Sequence, residues 1–195
     1  MKKQIKQNSA EWNMKLRCAE EKDYTNIRDF YYFLIESMKK TEFNPVWEKD
    51  KYPTQDFLIA SIKNHELYVA QNDRDILACM VVNCLYNDGY REVKWSVDAE
   101  DSELLVIHAL GVHPGYVGRG IAKEMVRYVI EVGKKKGIKT IRLDVLEGNI
   151  PAEKAYTRMG FQYITTLKLC YEDIGWANFK VYEYIIQVAD SGLSR

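Results

Sequence analysis

The chain is poor in the features that would place it at once. Its 195 residues include only four cysteines, four prolines and three histidines. Cys18, Cys79, Cys84 and Cys170 are scattered and form no Cys-x-x-Cys pair. His65, His108 and His113 have no partner at zinc-ligand spacing, so the sequence offers no structural zinc site. No apolar run approaches the ~18 residues that would suggest a membrane span. The start, Met1-Lys2-Lys3-Gln4-Ile5-Lys6, has the charge of a signal n-region with no apolar stretch behind it. A cytoplasmic protein with reduced thiols and no membrane partner is therefore expected. Excess charge of one sign is also missing. Lys and Arg total 28 and Asp and Glu total 28, which argues against a strongly basic nucleic-acid binder. There are no repeats and no linker-like tracts.

Present instead is the balance of a globular protein with a sizeable core: 47% hydrophobic, 29% charged and 12% aromatic residues, 14 of them Tyr. Residues 1–13 are polar and read as a frayed end. Lys15 to Ala19 reads as a short strand. Asp23 is the expected N-cap of a helix with Ile27, Phe30, Tyr31, Leu34, Ile35 and Met38 on its apolar stripe. Thr54 is the expected cap of a second helix carrying Phe57, Leu58, Ser61 and Ile62. His65–Gln71 and Ile76–Tyr86, joined by Asn72-Asp73-Arg74-Asp75, form a hairpin pattern. Cys79 and Cys84 read as small core residues within it. A polar stretch, Asn87–Ser102, follows.

Leu104–Val112 is nearly continuous in apolar residues, as in a central strand buried on both faces. A glycine-rich turn leads into a helix with Ile121, Met125, Tyr128, Val129 and Val132 on its expected buried face. Lys134-Lys135-Lys136 suit its last turn, and Gly137 ends it. Thr140–Leu146 alternates Ile141, Leu143 and Val145 inward against Arg142 and Asp144. Strand–helix–strand predicts a parallel pair. Ile150–Met159 reads as a short helix. Phe161–Leu169 and Phe179–Val188 read as strands able to pair antiparallel. The sum is an α/β (α+β) protein, a mixed sheet with helices on both faces.

The chemistry concentrates in Gly115-Tyr116-Val117-Gly118-Arg119-Gly120-Ile121-Ala122. A buried strand runs into a glycine turn that opens a helix. The first helical N–H groups lack intrahelical partners, glycines allow close approach, and the dipole favours an anion such as phosphate. Gly115 and Gly120 have P-loop spacing, but Ile121-Ala122 replace the Lys and the hydroxyl. Gly118-x-Gly120 continues to Lys123 where a dinucleotide fingerprint needs Gly.

Val112-His113-Pro114 followed by Gly118-Arg119-Gly120-Ile121-Ala122 resembles the acetyl-CoA motif of the GCN5-related N-acetyltransferases, the GNAT superfamily. Gly115 stands where that pattern has Gln or Arg; it removes a side chain and keeps backbone donors. Downstream, Asn149-Ile150-Pro151-Ala152 through Tyr156 to Gly160-Phe161 is similar to the family's Asn-x-x-Ala-x-x-x-Tyr-x-x-x-Gly-Phe. The close likeness covers about residues 104–165.

The resemblance implies the acyl-CoA N-acyltransferase (GNAT) fold, a mostly antiparallel sheet of about seven strands, in one domain over residues 14–190. It implies acetyl-CoA as cofactor and a small-molecule or peptide amine as acceptor. In that scheme the two parallel strands splay and Gly111 marks the bulge that starts it. Backbone groups of Leu110 and Val112 hold pantetheine and polarise the thioester carbonyl. N–H groups of Val117, Gly118, Arg119, Gly120, Ile121 and Ala122 bind pyrophosphate. Asn149 lies near the CoA arm, and Tyr156 protonates the departing thiolate.

A free alkylamine has pKa ~10, so a base must take its proton. Glu103 and His108, near or on the central strand, compete for that role with a chain of waters. Asp98, Glu100, Asp101 and Glu103 form either a solvated loop or a lure for a cationic amine. Phe30–Phe33, Phe43, Trp47 and Tyr52 either line an acceptor pocket or pack the first helices. The family likeness also leaves room for a homodimer through the Cys170–Phe179 loop. Two rival functions remain: a catalytically silent CoA-binding or regulatory module, and a nucleotide-phosphate binder of another class.

Overall fold

A computed structural model describes residues 14–41 and 46–186. The segment 1–13, Phe43 and residues 187–195 lie outside that range, and with them the ends of the last expected strand and of the expected domain. In chain order the elements are β1 (Lys15–Cys18), α1 (Tyr24–Met38), α2 (Gln55–Lys63), β2 (Leu67–Gln71), β3 (Ile76–Asn83) and β4 (Leu104–Val112). There follow α3 (Ile121–Lys135), β5 (Thr140–Leu146), α4 (Ile150–Arg158), β6 (Gln162–Tyr171) and β7 (Gly175–Ile185). The seven strands form one sheet in the order β1-β2-β3-β4-β5-β7-β6. Only β4 and β5 run parallel; the other neighbours are antiparallel. The expected mixed, mostly antiparallel sheet is thus present. No described helix is long and apolar enough to cross a membrane.

Helices cover both faces. On one side α1 and α2 pack Ile27, Tyr31, Leu34, Leu58 and Ile62 over Val69, Cys79 and Val81. On the other α3 packs Ile121, Met125, Val126, Val129 and Ile130 over Leu77, Met80, Ile141 and Leu143. Val126 and Ile130 take the places expected for Tyr128 and Val132; Tyr128 instead stands at the margin, its ring against Tyr68 at 5.9 Å.

Several expected boundaries move for local reasons. Thr54 does cap α2, its hydroxyl accepting from the Phe57 N–H at 3.1 Å. Asp23 precedes α1 but makes no side-chain cap. Its carboxylate accepts from the Glu20 N–H at 2.8 Å and pairs with the Arg17 guanidinium at 2.6 Å, tying β1 to the turn before α1. The strand expected from His65 begins at Leu67, because His65 turns with φ +58°. The strand expected to reach Tyr86 ends at Asn83, whose side chain accepts from the Leu85 N–H at 3.0 Å. Cys84 therefore lies past the strand and is exposed, whereas Cys79 is fully buried. β6 and β7 do pair antiparallel, in a long hairpin closed between Tyr171 and Gly175, the latter at φ +76°.

The largest departure concerns the second face of β5. Arg142 is not turned to solvent. Its guanidinium is 7% exposed and pairs at 3.2 Å with Glu183 of β7, which is 1% exposed. Glu183 also accepts from the Ser96 N–H at 2.7 Å and the Thr140 hydroxyl at 3.1 Å. Arg142 donates to the Val97 carbonyl at 2.8 Å and lies 4.2 Å over the Trp95 ring. The stretch 87–102 thus covers this face, while Asp98, Glu100 and Asp101 are exposed. Both Glu183 oxygens and the Nε and Nη2 of Arg142 have partners, which is what makes such a burial tolerable.

Removing one member would leave the other charge buried and uncompensated. Glu183→Gln is expected to lower folding stability by about 3 kcal/mol. The midpoint of urea unfolding measures it; an unshifted midpoint would show that the pair adds nothing.

Candidate active site

The site begins where the parallel pair fails. β4 and β5 are paired only at Leu104–Val106 against Thr140–Arg142. Beyond Val106 and Arg142 they part. The opening coincides with a bulge on β4: between Cys79↔Gly111 and Val81↔His108, β4 spends one residue more than β3. The extra residue twists the strand and re-aims its backbone. The bulge sits at Ala109, with φ +49°, not at Gly111 as the family likeness implied. The Tyr31 hydroxyl donates to the Ala109 carbonyl at 2.7 Å and so fixes the bulge from α1. Gly111 has a different task. A Cβ there would stand 2.4 Å from Leu34 Cδ2, so the missing side chain lets α1 approach the strand.

Between the parted strands lies a cleft of about 150 Å³. His108 from β4, Asp144 from β5, Asn149 and Tyr156 from α4, Trp47 and Tyr52 from the segment before α2, and Tyr171 and Asp173 from the hairpin line it. A groove whose described lining holds no charged side chain continues from it past Leu34, Met38, Leu110, Val112 and Val117 towards the glycine turn. There Pro114–Tyr116 make a short helical turn, capped by the His113 ring, whose Nδ1 accepts from the Gly115 N–H at 3.1 Å. Gly118 and Gly120 have φ of +80° and +81°, and a Cβ at either would meet nothing within 4 Å. These glycines are needed for the left-handed backbone, not for packing. Gly120 opens α3 without a side-chain cap, so the first N–H groups of the helix, from Ile121 and Ala122, await an external acceptor.

Within the cleft, Asp144 accepts from the Tyr90 hydroxyl at 2.7 Å and the Tyr171 hydroxyl at 2.8 Å. Desolvation raises its carboxyl above the usual range, and the two hydrogen bonds pull against that rise. Desolvation lowers the His108 imidazole below its ordinary value. His108 Nε2 lies 3.0 Å from both the Asn83 Oδ1 and the Leu85 carbonyl. Two acceptors call for a proton on Nε2, which leaves the lone pair of the neutral ring on Nδ1. Desolvation, and after it the Asp144 charge, raises the Tyr156 phenol, so it keeps its proton throughout the neutral range. Asn149 caps α4 through Oδ1, which accepts from the Ala152 N–H at 3.2 Å, leaving its amide nitrogen for another partner.

Of the residues singled out from the sequence, the structure brings His108, Leu110, Asn149 and Tyr156 to the cleft. Val112 and Val117 lie along the groove, and Gly118, Arg119, Gly120, Ile121 and Ala122 stand beyond it at the start of α3. Glu103 does not join them. It sits at the opposite, closed end of β4, bound at 2.7 Å to Lys139, which holds its carboxyl below the usual range. Lys134–Lys136 end α3, with Lys134 paired to Glu131 at 2.8 Å. Asp144, Tyr171 and Asp173 were missed. One signal was available: the carboxyl ends of parallel strands collect ligands, and Asp144 is the carboxylate that β5 itself carries near that end.

Comparison with known proteins agrees with this architecture. A sequence model described as the acetyltransferase (GNAT) family matches residues 29–161. Streptothricin acetyltransferase of Streptomyces lavendulae is 34% identical over 62 residues, which is 32% of this chain and 33% of that protein. The curated relatives are matched over only 31% to 43% of their own length. A GNAT-family acetyltransferase structure from Streptococcus agalactiae superposes with a TM-score of 0.74 at 21% identity, covering 89% of this chain and 96% of that one. The yncA structure from Salmonella typhimurium, solved with its cofactor acetyl-CoA, gives 0.63 at 14% identity over 93% and 99%.

Tyr171→Phe removes one of the two donors to Asp144 and should raise that carboxyl further, since hydrogen bonds to a carboxylate favour its charged form. A carbon NMR titration of the Asp144 carboxyl reads the shift. An unmoved titration would mean that the phenol does not support the charge.

Proposed function

The chain belongs to the GNAT acetyltransferase family, and from that premise we propose that it transfers an acetyl group from acetyl-CoA to a primary amine of a small molecule or peptide, by direct attack in a ternary complex. The observation that carries this reading is the continuous path from the glycine turn, along the groove, to a cleft holding His108, Asp144 and Tyr156. When bound, acetyl-CoA supplies a thioester whose acyl carbon is open to a nucleophile. The residues fit such a molecule. The turn at Gly118 and Gly120 has open space and unclosed helical N–H groups for a pyrophosphate. Among the described residues the groove is lined by no charged side chain that would oppose a pantetheine arm. The N–H groups of Gly118, Arg119, Gly120, Ile121 and Ala122 take the phosphates in this scheme. Gly115 contributes none, because its N–H is given to His113. Val117 adds little, its N–H facing the Pro114 carbonyl at 3.5 Å.

Past Val106 the edge of β4 that faces β5 has no strand to pair with, so backbone groups of Leu110 and Val112 are available to the arm and to the carbonyl oxygen as it gains charge. The ammonium of the acceptor gives a proton to His108 or Asp144, directly or through water, and its nitrogen lone pair forms the C–N bond. The C–S bond breaks, and Tyr156 presents its hydroxyl proton to the sulfur. Glu103 has no part in this, being held by Lys139 at the far end of the strand. A silent binding module would have no need of three titratable groups converging on the cleft.

Acetyl-CoA at about 100 times its dissociation constant should add about 2.7 kcal/mol, a rise in melting temperature of roughly 5–10 °C. ATP and NAD should produce none. Absence of any shift with acetyl-CoA and CoA would sink the cofactor assignment. Tyr156→Phe should lower kcat about a hundredfold with little change in KM for acetyl-CoA, followed by thiol release. Because burial lowers His108, the acid limb of kcat/KM should lie below the pH of an ordinary histidine: the base stays unprotonated, and the rate holds, until the pH falls through that depressed value.

A further inference from the structure

The chemistry of the cleft wall restricts the acceptor further, on the reading that this cleft is where acetyl transfer occurs. Two carboxylates face it, Asp144 and Asp173. Among the described residues no Lys or Arg lines it. Among the described residues neither carboxylate is paired with a Lys or Arg: Asp144 is held by two tyrosine hydroxyls and has His108 as a titratable neighbour, and Asp173, partly buried, takes the N–H groups of its own residue and of Ile174. Charges withdrawn from water are ordinarily paired, so two unpaired anions in one enclosed space call for positive charge from outside.

Much of the remaining wall is apolar, part of it aromatic. Its rings stand among aliphatic side chains such as Ile107, Leu110 and Val145: Trp47 and Tyr52 meet edge to face at 5.4 Å, and Tyr156, Tyr171 and Phe179 share the lining. Ring faces attract alkylammonium groups and pack against methylenes, whereas they offer nothing to an anion. Asp144 and Asp173 line one cleft of about 150 Å³ together with Tyr52 and Tyr171, so the two charges share one short space. The reacting nitrogen needs only one of them. It must surrender a proton to attack, and once neutral it no longer answers the second charge.

We propose that the acceptor is a compact amine carrying a second cationic nitrogen a few methylenes from the one acetylated, the simplest being an unbranched diamine with both amines terminal. Asp144 and His108 face the reacting nitrogen, and Asp173 at the hairpin holds the distal ammonium. One ammonium loses its proton and forms the C–N bond as the C–S bond breaks; the thiol leaves protonated, and the second ammonium stays charged throughout. An acceptor with a carboxylate in place of that ammonium is repelled.

The test compares terminal amines of one chain length: diaminobutane, butylamine, aminobutanol and aminobutanoate, with acetyl-CoA and the full chain, followed by thiol release. Diaminobutane should exceed butylamine and aminobutanol in kcat/KM by about ten- to a hundredfold, as for a hydrogen bond to a charged group, and aminobutanoate should be poorest. Asp173→Asn should bring the ratio of diaminobutane to butylamine close to one, and Asp173→Glu should restore it. Equal turnover of the four amines, a preference for aminobutanoate, or a ratio unmoved in Asp173→Asn would overturn the proposal while leaving acetyl transfer intact. Stabilisation by acetyl-CoA without turnover of any of the amines would also overturn it. Absence of both stabilisation and turnover would remove the acetyltransferase reading along with it. Should Asp173→Asn not fold, the ranking of the four amines on the unaltered protein decides.

Discussion

A parallel pair of strands normally hydrogen-bonds along its whole length, and a buried backbone group left unpaired is costly. Here β4 and β5 abandon each other after three residues. The site depends on that one broken ladder. The bulge at Ala109 turns the backbone, and the orphaned carbonyl is taken by the Tyr31 hydroxyl from α1. Gly111 then lets α1 lie close enough for that bond to form. Three sequence choices on two elements thus sustain one conformation. The unpaired edge of β4 that results becomes a resource for a ligand with its own donors and acceptors.

Support for the opposite wall comes from a stretch that looks like loop. Tyr90 is buried and braces Asp144, Trp95 lies under Arg142, and Ser96 reaches Glu183. The same short segment therefore anchors a buried ion pair and orients a cleft carboxylate. Stability and chemistry are joined there, because Arg142 and Asp144 are two residues apart on the same face of β5. A strand can present charges on a covered face only if something polar covers it.

Much of this was legible in the sequence. The apolar run of β4, the glycine turn, the amphipathic α3 and the alternation of β5 place the parallel pair and the residues of the glycine turn. Thr54 declared its cap. What was not legible depends on partners distant in the chain. The alternation of β5 separates two faces but does not say that the second is covered, so Arg142 and Asp144 read as outward. Glu103 looked close to the cleft because it adjoins β4, yet a strand of nine residues carries its two ends far apart. Tyr171 and Asp173 lie in a hairpin whose register no local pattern fixes. The bulge was sought at the glycine, the residue with the freest backbone; the strand instead placed it at Ala109, where Tyr31 could hold it.

The ion pair of Glu103 with Lys139 lies at the closed end of the parallel pair and sets its mechanics. The Lys139 N–H also donates to the Glu103 carbonyl at 2.7 Å, and its own carbonyl accepts from the Ile186 N–H at 2.9 Å. The two strands are therefore riveted at one end and separate at the other, like the arms of a pair of tongs. Such arms widen by rotation about the rivet, and displacement grows with distance along them. Over the roughly 20 Å from Val106 to the end of β4, a swing of about 3° moves the tip by about 1 Å. The gap can thus widen at its open end with almost no disturbance to the hydrogen bonds at the pivot.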